Sequence, residues 1–171
     1  MRRTRLLGAV LALAVAVAAC GDDDEAAEDG IPGVETIRIP PYEHTRADVD
    51  YDRSPPAGGP HGPSAAPCAF FDQVVPDELL VHTMEHGAVW LAYSPSLSAA
   101  DAAVIRGLTE DNDDVVAAPY PDLGPGEAVV ATSWGRQLRL DAVDDPRLER
   151  FVATFRNRDE APEKDVGCEQ P

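Results

Sequence analysis

Hydrophobic and polar residues follow one another along this chain in patterns that predict short strands and helices from residue 34 onward. Short continuous apolar runs are typical of strands buried on both faces. They occupy residues 88–93 and 115–118, and residues 128–134 are predicted to form another strand. A further strand is predicted at residues 137–140, joined to the preceding run by a hairpin around Gly135-Arg136. Residues 34–40 alternate between polar and apolar side chains, which predicts a short strand at an edge of the sheet.

Three segments have the features of helices. They occupy residues 77–86, 99–110 and 147–156. Asp77 can cap the first helix, and Gly87 is a natural stop after it. Ser98 is positioned to cap the second helix, and Pro146 opens the third. The order of the elements predicts an α/β (α+β) fold: a single small domain with a mixed sheet of four to five strands and two to three helices.

A long segment with neither the alternation of a strand nor the periodicity of a helix separates the edge strand from the first helix. Prolines and glycines recur through residues 41–67. Proline fixes φ and removes a backbone donor, so this segment is predicted to be an ordered or semi-ordered loop rather than a regular element.

The beginning of the chain has the features of a secretory signal. Three arginines within the first five residues precede an apolar stretch at residues 6–19, which leads through small residues to Cys20. The stretch is shorter than the roughly 18 to 20 residues that span a bilayer, so a retained transmembrane helix is disfavoured. We predict a signal peptide at residues 1–19 and lipidation of Cys20, with ordinary secretion and a chance cysteine as the alternative.

These features predict three successive regions. The signal peptide is followed at residues 20–33 by the lipidated cysteine and an acidic, disordered linker, because that stretch is rich in Asp and Glu and poor in apolar residues. Residues 34–171 then form the single globular domain. The acyl chains would hold this domain to a lipid bilayer, at the extracytoplasmic face of a bacterial membrane.

The charge of the chain disfavours nucleic acid as a partner. The full sequence has 14 Lys+Arg and 31 Asp+Glu, a net charge of -17. Removal of residues 1–19 takes away three arginines, which leaves 11 against 31 and a net charge of -20. A surface this acidic repels phosphate backbones.

Two cysteines remain in the predicted domain, Cys68 and Cys168. In an oxidising compartment the default for such a pair is a disulfide. The alternative is that both cysteines are metal ligands, although neither has a second cysteine at short spacing.

Histidine placement is the main indication of chemistry. The chain has four histidines: His44, His61, His82 and His86. His82 and His86 are four residues apart, so on a helix both rings leave the same face and can hold one metal ion. On a strand they would also share a face. Met84 lies between them and suits copper as a thioether ligand, but its more ordinary role is to fill the core.

The segment from His82 to His86 also matches the form H-x-x-E-H of a zinc-protease signature. In that interpretation the histidines hold zinc, Glu85 is a general base, and a distant acid such as Glu149 or Glu163 completes the site. Five residues are a weak pattern, and the rest of the chain does not resemble those proteases. A non-enzymatic role is therefore favoured.

Several motifs resemble those of an uncharacterised bacterial family, domain of unknown function 3105. Residues 54–61 read Ser-Pro-Pro-Ala-Gly-Gly-Pro-His and are similar to its P-P-x-x-G-P-H signature. Residues 81–90, 131–136 and the stretch from Phe151 to Glu163 are similar to its following motifs. The likeness runs from His44 to Cys168.

The resemblance implies an exported protein without an assigned activity. All four histidines and Glu85 fall on motif positions of the family, which implies one composite site. Thr83-Met84 stands where the family more often has Ser-Leu, which argues against the thioether as a general ligand.

Three hypotheses follow from the sequence. The leading one is an exported lipoprotein that binds zinc or copper through His61, His82 and His86, with His44 or Glu85 nearby. The second is a non-catalytic structural or interaction domain of the cell envelope, whose histidines bond to buried backbone. The third is a metal-dependent hydrolase.

Overall fold

The computed structural model describes residues 30–168, in which a five-stranded mixed sheet is covered by helices. This confirms the predicted α+β class, with five strands and three helices among these residues. In chain order the elements are β1 (Val34–Thr36), α1 (Asp77–Glu85), β2 (Val89–Tyr93), α2 (Ala99–Glu110), β3 (Val115–Pro119), β4 (Val129–Ser133), β5 (Arg136–Leu140) and α3 (Pro146–Phe155).

The strands lie in the order β1-β5-β4-β2-β3. β2 and β3 are parallel and are connected through α2, whereas the other neighbouring pairs are antiparallel. β4 and β5 form the predicted hairpin, with Gly135 in its turn at a φ of 72°. β1 is an edge strand as predicted, but it ends at Thr36 instead of reaching residue 40. After the hydrogen bond from the backbone nitrogen of Ile37 to the carbonyl of Gly135, at 2.8 Å, the chain leaves the hairpin.

The sheet separates two hydrophobic clusters. α2 and α3 cover one face, where Ile105 and Phe151 are fully buried. α1 and the long loop, residues 37–76, cover the other face, where Met84 and Trp90 are fully buried. β2, β3 and β4 are buried along their whole length, which explains the continuous apolar sequences of β2 and β3. The two polar residues at the end of β4 are hydrogen-bonded, Thr132 to Gln137 and Ser133 to the carbonyl of Phe155.

The outer edge of β3 is covered by residues 69–71 of the long loop. The backbone nitrogen of Phe71 donates to the carbonyl of Ala117 at 2.8 Å, and that of Ala117 donates to the carbonyl of Ala69 at 3.0 Å. Phe70 and Ala117 form an isolated parallel bridge. The loop therefore adds a short backbone pairing at the side of the sheet where β3 would otherwise be exposed.

The beginnings of the helices agree with the prediction at α2 and differ at α1. The Ser98 hydroxyl accepts a hydrogen bond from the backbone nitrogen of Asp101 at 3.1 Å, which is the expected N-cap of α2. Asp77, predicted to cap α1, is instead the first residue of the helix, and Pro76 takes the cap position. The Asp77 carboxylate accepts a hydrogen bond from the Tyr120 hydroxyl at 3.0 Å.

The folded domain begins before residue 34. Ile31 is 1% exposed and belongs to the cluster under α2 and α3, and the carbonyl of Pro32 accepts a hydrogen bond from Arg147 at 3.2 Å. Residues 30–33, at the end of the predicted disordered linker (residues 20–33), therefore contact the domain through the buried Ile31 and through hydrogen bonds from Arg147 and Arg150. The predicted signal peptide, Cys20 and the linker up to residue 29 lie outside the described residues.

The C-terminal tail, residues 157–168, is held against the end of α1. The backbone nitrogens of Asn157 and Glu163 donate to the carbonyls of Gly87 and Glu85 at 2.8 and 3.0 Å. Cys168 is joined to Cys68 in a disulfide, with Cα atoms 5.6 Å apart. Within residues 30–168 there is no helix of the length and apolarity that crossing a membrane requires.

Candidate metal centre

Three histidines and one glutamate meet on the face of the sheet that α1 covers. We call them the inner group: His44, His61, His82 and Glu85. Each offers one ligand atom, and these atoms all lie within 4.8 Å of one another. The sequence predicted convergence of the histidine rings, and these three do converge.

The helix α1 supplies two members of the inner group. His82 and Glu85 are three residues apart, so they lie one above the other on the same helix face. The distance between His82 Nε2 and Glu85 Oε2 is 3.9 Å. The inner group therefore uses the spacing of three residues between His82 and Glu85, and not the predicted spacing of four between His82 and His86.

The long loop supplies the other two members. His44 and His61 form an isolated bridge, and the backbone nitrogen of Thr45 donates to the carbonyl of His61 at 2.8 Å. Gly59 has a φ of +113°, which L side chains rarely adopt, so a glycine is required where the loop turns towards His61. This backbone path places rings that are 17 positions apart in sequence side by side, with centroids 4.6 Å apart.

Backbone carbonyls orient two of the rings. His61 Nδ1 donates to the carbonyl of Gly59 at 2.8 Å, and His82 Nδ1 donates to the carbonyl of Gly62 at 2.8 Å. Because a carbonyl can only accept, each Nδ1 holds a proton, and in the neutral ring Nε2 presents a lone pair. This is the arrangement in which metal-binding histidines are usually held.

The Nε2 atoms of the three rings face one carboxylate oxygen. Glu85 Oε2 lies 3.0 Å from His61 Nε2 and 3.3 Å from His44 Nε2. Glu85 and His61 are buried, with side chains 3% and 0% exposed, whereas the His44 side chain is 44% exposed. The group therefore opens to solvent on the side of His44.

The protonation states in the inner group suit a cation. Burial lowers the pKa of His82, and the neighbouring His86 and His61 lower it further. Burial by itself would raise the pKa of Glu85, but the hydrogen bond from Tyr42 and the proximity of His61 outweigh it, and the net shift is downward. Near neutral pH these shifts favour a neutral ring beside an ionised carboxylate.

Tyr42 holds the second oxygen of Glu85 and was not predicted from the sequence. Its hydroxyl donates to Glu85 Oε1, so that Oε2 alone faces the histidines. Burial and the charge of Glu85 raise the pKa of Tyr42, which keeps the phenol protonated as a donor. The feature of the sequence that could have identified Tyr42 is its position two residues before His44, on the same stretch of loop.

His86 belongs to a second cluster rather than to the inner group. We call it the outer group: His82, His86 and Glu163. His86 was expected to act with His61 and His82. However, α1 ends at Glu85, and Gly87 follows with a φ of 97°, so the His86 ring lies towards the tail. His86 Nε2 is 3.5 Å from Glu163 Oε2, and His86 Nδ1 is buried without a hydrogen-bond partner.

The arrangement does not suit the zinc-protease hypothesis. Glu85, the predicted general base, is buried and has its oxygens engaged by Tyr42 and His61. Glu149 is exposed on α3, which covers the opposite face of the sheet. Met84 is 0% exposed in the cluster under α1, in agreement with its predicted role as a core residue.

Comparison with known proteins gives a family and no activity. A family model described as "Protein of unknown function (DUF3105)" matches residues 43–170, which include every member of the inner and outer groups. No curated protein matches the chain, and no solved structure does. The resemblance noted from the motifs is therefore confirmed.

Proposed function

Because the chain belongs to the DUF3105 family, whose function is unknown, we propose a function from the site itself: the inner group binds a transition-metal ion. The ion is zinc or copper, held by His44, His61, His82 and Glu85. The protein is then a metal-binding module rather than an enzyme.

The convergence of Nε2 atoms on Glu85 Oε2 supports this proposal most directly. The Nδ1 atoms of His61 and His82 donate hydrogen bonds to backbone carbonyls. In the neutral form of each ring, Nε2 therefore directs its lone pair towards Glu85 Oε2. His61 Nε2 and Glu85 Oε2 are within hydrogen-bond distance at 3.0 Å, and a bound cation would take the place of the proton between them. Around a tetrahedral ion with bonds near 2.0 to 2.1 Å, ligand atoms lie about 3.3 Å apart. The distances from Glu85 Oε2 are 3.0, 3.3 and 3.9 Å.

The donor set selects the class of ion. Calcium and magnesium take oxygen ligands, whereas imidazole suits zinc and copper. Four protein ligands complete a tetrahedral zinc site, which is typical of sites that hold an ion rather than of catalytic sites that keep an open position. The site thus supports binding in preference to hydrolysis.

The location that we propose is the extracytoplasmic face of a bacterial membrane, with Cys20 as lipid anchor. The apolar stretch that ends at Cys20 supports it. The disulfide between Cys68 and Cys168 supports an oxidising compartment. A metal-binding domain in that position would meet ions that enter from outside the cell.

Isothermal titration calorimetry of the purified full-length protein with ZnCl₂ and with CuSO₄ tests the proposal. We expect one ion per chain, and an affinity of Glu85→Gln that is lower on the order of 100-fold. Removal of a residue that only orients a metal ligand already lowers metal affinity by about 10- to 100-fold, and Glu85 is itself a proposed ligand. Glu149→Gln removes the same charge on the opposite face of the sheet and is the matched control. Equal, weak binding by all three proteins would refute the proposal.

A structural role for the histidines is the second candidate, and the hydrogen bonds to Gly59 and Gly62 favour it. Those bonds fix the long loop to α1 whether or not an ion is bound. Thermal melts of the same samples separate the two candidates. Binding to the folded state raises the melting temperature, the stabilisation grows with the logarithm of the ligand excess, and EDTA reverses the rise. A melting temperature that neither Zn²⁺ nor EDTA changes would favour the structural role.

A further inference from the structure

We propose that the outer group is an entry position for the ion, and that His82 passes the ion from there to the inner group. This inference rests on the proposed function, because it requires that the inner group binds a metal. It assigns His86 and Glu163 a role in loading rather than in final coordination.

The outer group connects the inner group to solvent on the side of the C-terminal tail, in addition to the opening at His44. The Glu163 side chain is 45% exposed, the His86 side chain is 9% exposed, and the Glu85 side chain is 3% exposed. His86 Nδ1 is buried without a hydrogen-bond partner, while Nε2 lies 3.5 Å from Glu163 Oε2. Two imidazoles and a carboxylate are a common ligand set for zinc.

His82 cannot serve both groups at the same time. Its Nδ1 donates to the carbonyl of Gly62, so only Nε2 can bind an ion. A single lone pair binds a single ion. The outer and inner groups are therefore alternative positions for one ion rather than two halves of a dinuclear site.

The number of ligands gives the transfer a direction. The outer group offers three protein ligands, which leaves one tetrahedral position open to water or to a ligand of the delivering molecule. The inner group offers four protein ligands, with Glu85 and His61 shielded from water. An ion bound to the outer group can keep its bond to His82 while it exchanges His86 and Glu163 for the other ligands of the inner group. In the inner group the fourth position is also filled by the protein, so the ion releases the water or the ligand of the delivering molecule.

The C-terminal tail puts Glu163 in place. The Glu163 backbone nitrogen donates to the carbonyl of Glu85 at 3.0 Å, which fixes the tail directly beside the last turn of α1. The outer group thus depends on the tail, whereas the inner group is built from the long loop and α1 alone.

Stopped-flow fluorescence with Cu²⁺ tests the inference on the purified full-length protein. Trp134 lies 6.1 Å from the His61 ring between centroids, so a bound paramagnetic ion in the inner group should quench it. We expect Glu163→Gln to slow both the quenching after Cu²⁺ addition and the recovery in EDTA by about tenfold. This is the lower end of the 10- to 100-fold effect that the loss of a supporting residue has at a metal site. The dissociation constant should change much less than either rate.

Asp165→Asn is the matched control, because it removes one negative charge from the same exposed stretch of tail. It should load and release Cu²⁺ at the rates of the unsubstituted protein. Equal rates for Glu163→Gln and Asp165→Asn, with binding intact, would overturn the entry position alone. A stoichiometry of two ions per chain would overturn the single shared ion. Absence of Cu²⁺ and Zn²⁺ binding by the unsubstituted protein would instead overturn the proposed function.

Discussion

Each oxygen of the Glu85 carboxylate has its own partners. Oε1 accepts the hydrogen bond from Tyr42, and Oε2 faces His61, His44 and His82. Tyr42 thereby leaves Oε2 facing the histidines, and if the inner group binds an ion as proposed, Tyr42 is a positioning residue for Glu85.

We expect Tyr42→Phe to weaken Zn²⁺ binding by about tenfold, because Glu85 loses the donor that orients it. Tyr51→Phe is the control. Tyr51 lies on the same loop, and its hydroxyl donates to the carbonyl of Pro60 at 2.7 Å without contacting Glu85. Calorimetric titration of both variants measures the difference, and an equal affinity for the two would contradict the positioning role.

The sequence identified the members of the two clusters better than it identified their grouping. His82 and Glu85 were accessible from spacing and motif because a helix fixes both side chains relative to each other. His86 was expected in the main site and lies in the outer group, whereas His44 was expected only nearby and belongs to the inner group. Tertiary contacts set both the path of the loop that carries His44 and the direction of the His86 ring beyond the end of α1. Tyr42 was missed because its role depends on a hydrogen bond across 43 positions of sequence.

At the scale of elements, the short helix α1 ends in a tightly constrained turn. Gly87 has a φ of +97°, and a Cβ added there would lie 2.8 Å from Asn157 Oδ1 and 3.2 Å from Asn157 Cα. The turn therefore combines a left-handed backbone with close approach of the tail.

We expect Gly87→Ala to destabilise the protein by at least about 1 to 2 kcal/mol, the cost of a left-handed conformation for an L residue, before any clash with the tail is added. Gly107→Ala is the control, because Gly107 lies inside α2 and its added Cβ would meet nothing within 4 Å. That change should stabilise by about 0.5 to 1 kcal/mol. Urea unfolding curves give both values, and a Gly87→Ala protein as stable as the unsubstituted one would contradict this account of the turn.

The elements themselves were largely predictable, for a physical reason that differs between strands and helices. β2 and β3 are buried on both faces, so their sequences are unbroken apolar runs, whereas a helix at the surface has apolar residues on one face only. α2 and α3 have caps and apolar faces that could be located in advance. α1 begins without a side-chain cap, which is why its start was misassigned to a cap at Asp77.

At the scale of the whole molecule, the disulfide closes most of the domain into one loop. Cys68 and Cys168 are 100 positions apart, so the bond limits the unfolded chain strongly. It also holds the end of the tail that places Glu163.

We expect the double variant Cys68→Ser/Cys168→Ser to lose about 2 to 5 kcal/mol of unfolding free energy. Urea unfolding with and without a reductant measures this, and the reductant should lower the stability of the unsubstituted protein while leaving the variant unchanged. Identical curves for the oxidised, reduced and substituted proteins would contradict a stabilising role for this bond.

The covering of β3 by residues 69–71 has a consequence for how copies of this protein behave near one another. An uncovered edge strand offers a row of backbone donors and acceptors to the edge of a second molecule. Here the backbone groups of Ala117 are paired within the chain, and the opposite edge, β1, is only three residues long. Crowded copies therefore have little backbone at these two edges through which one sheet could extend into the next.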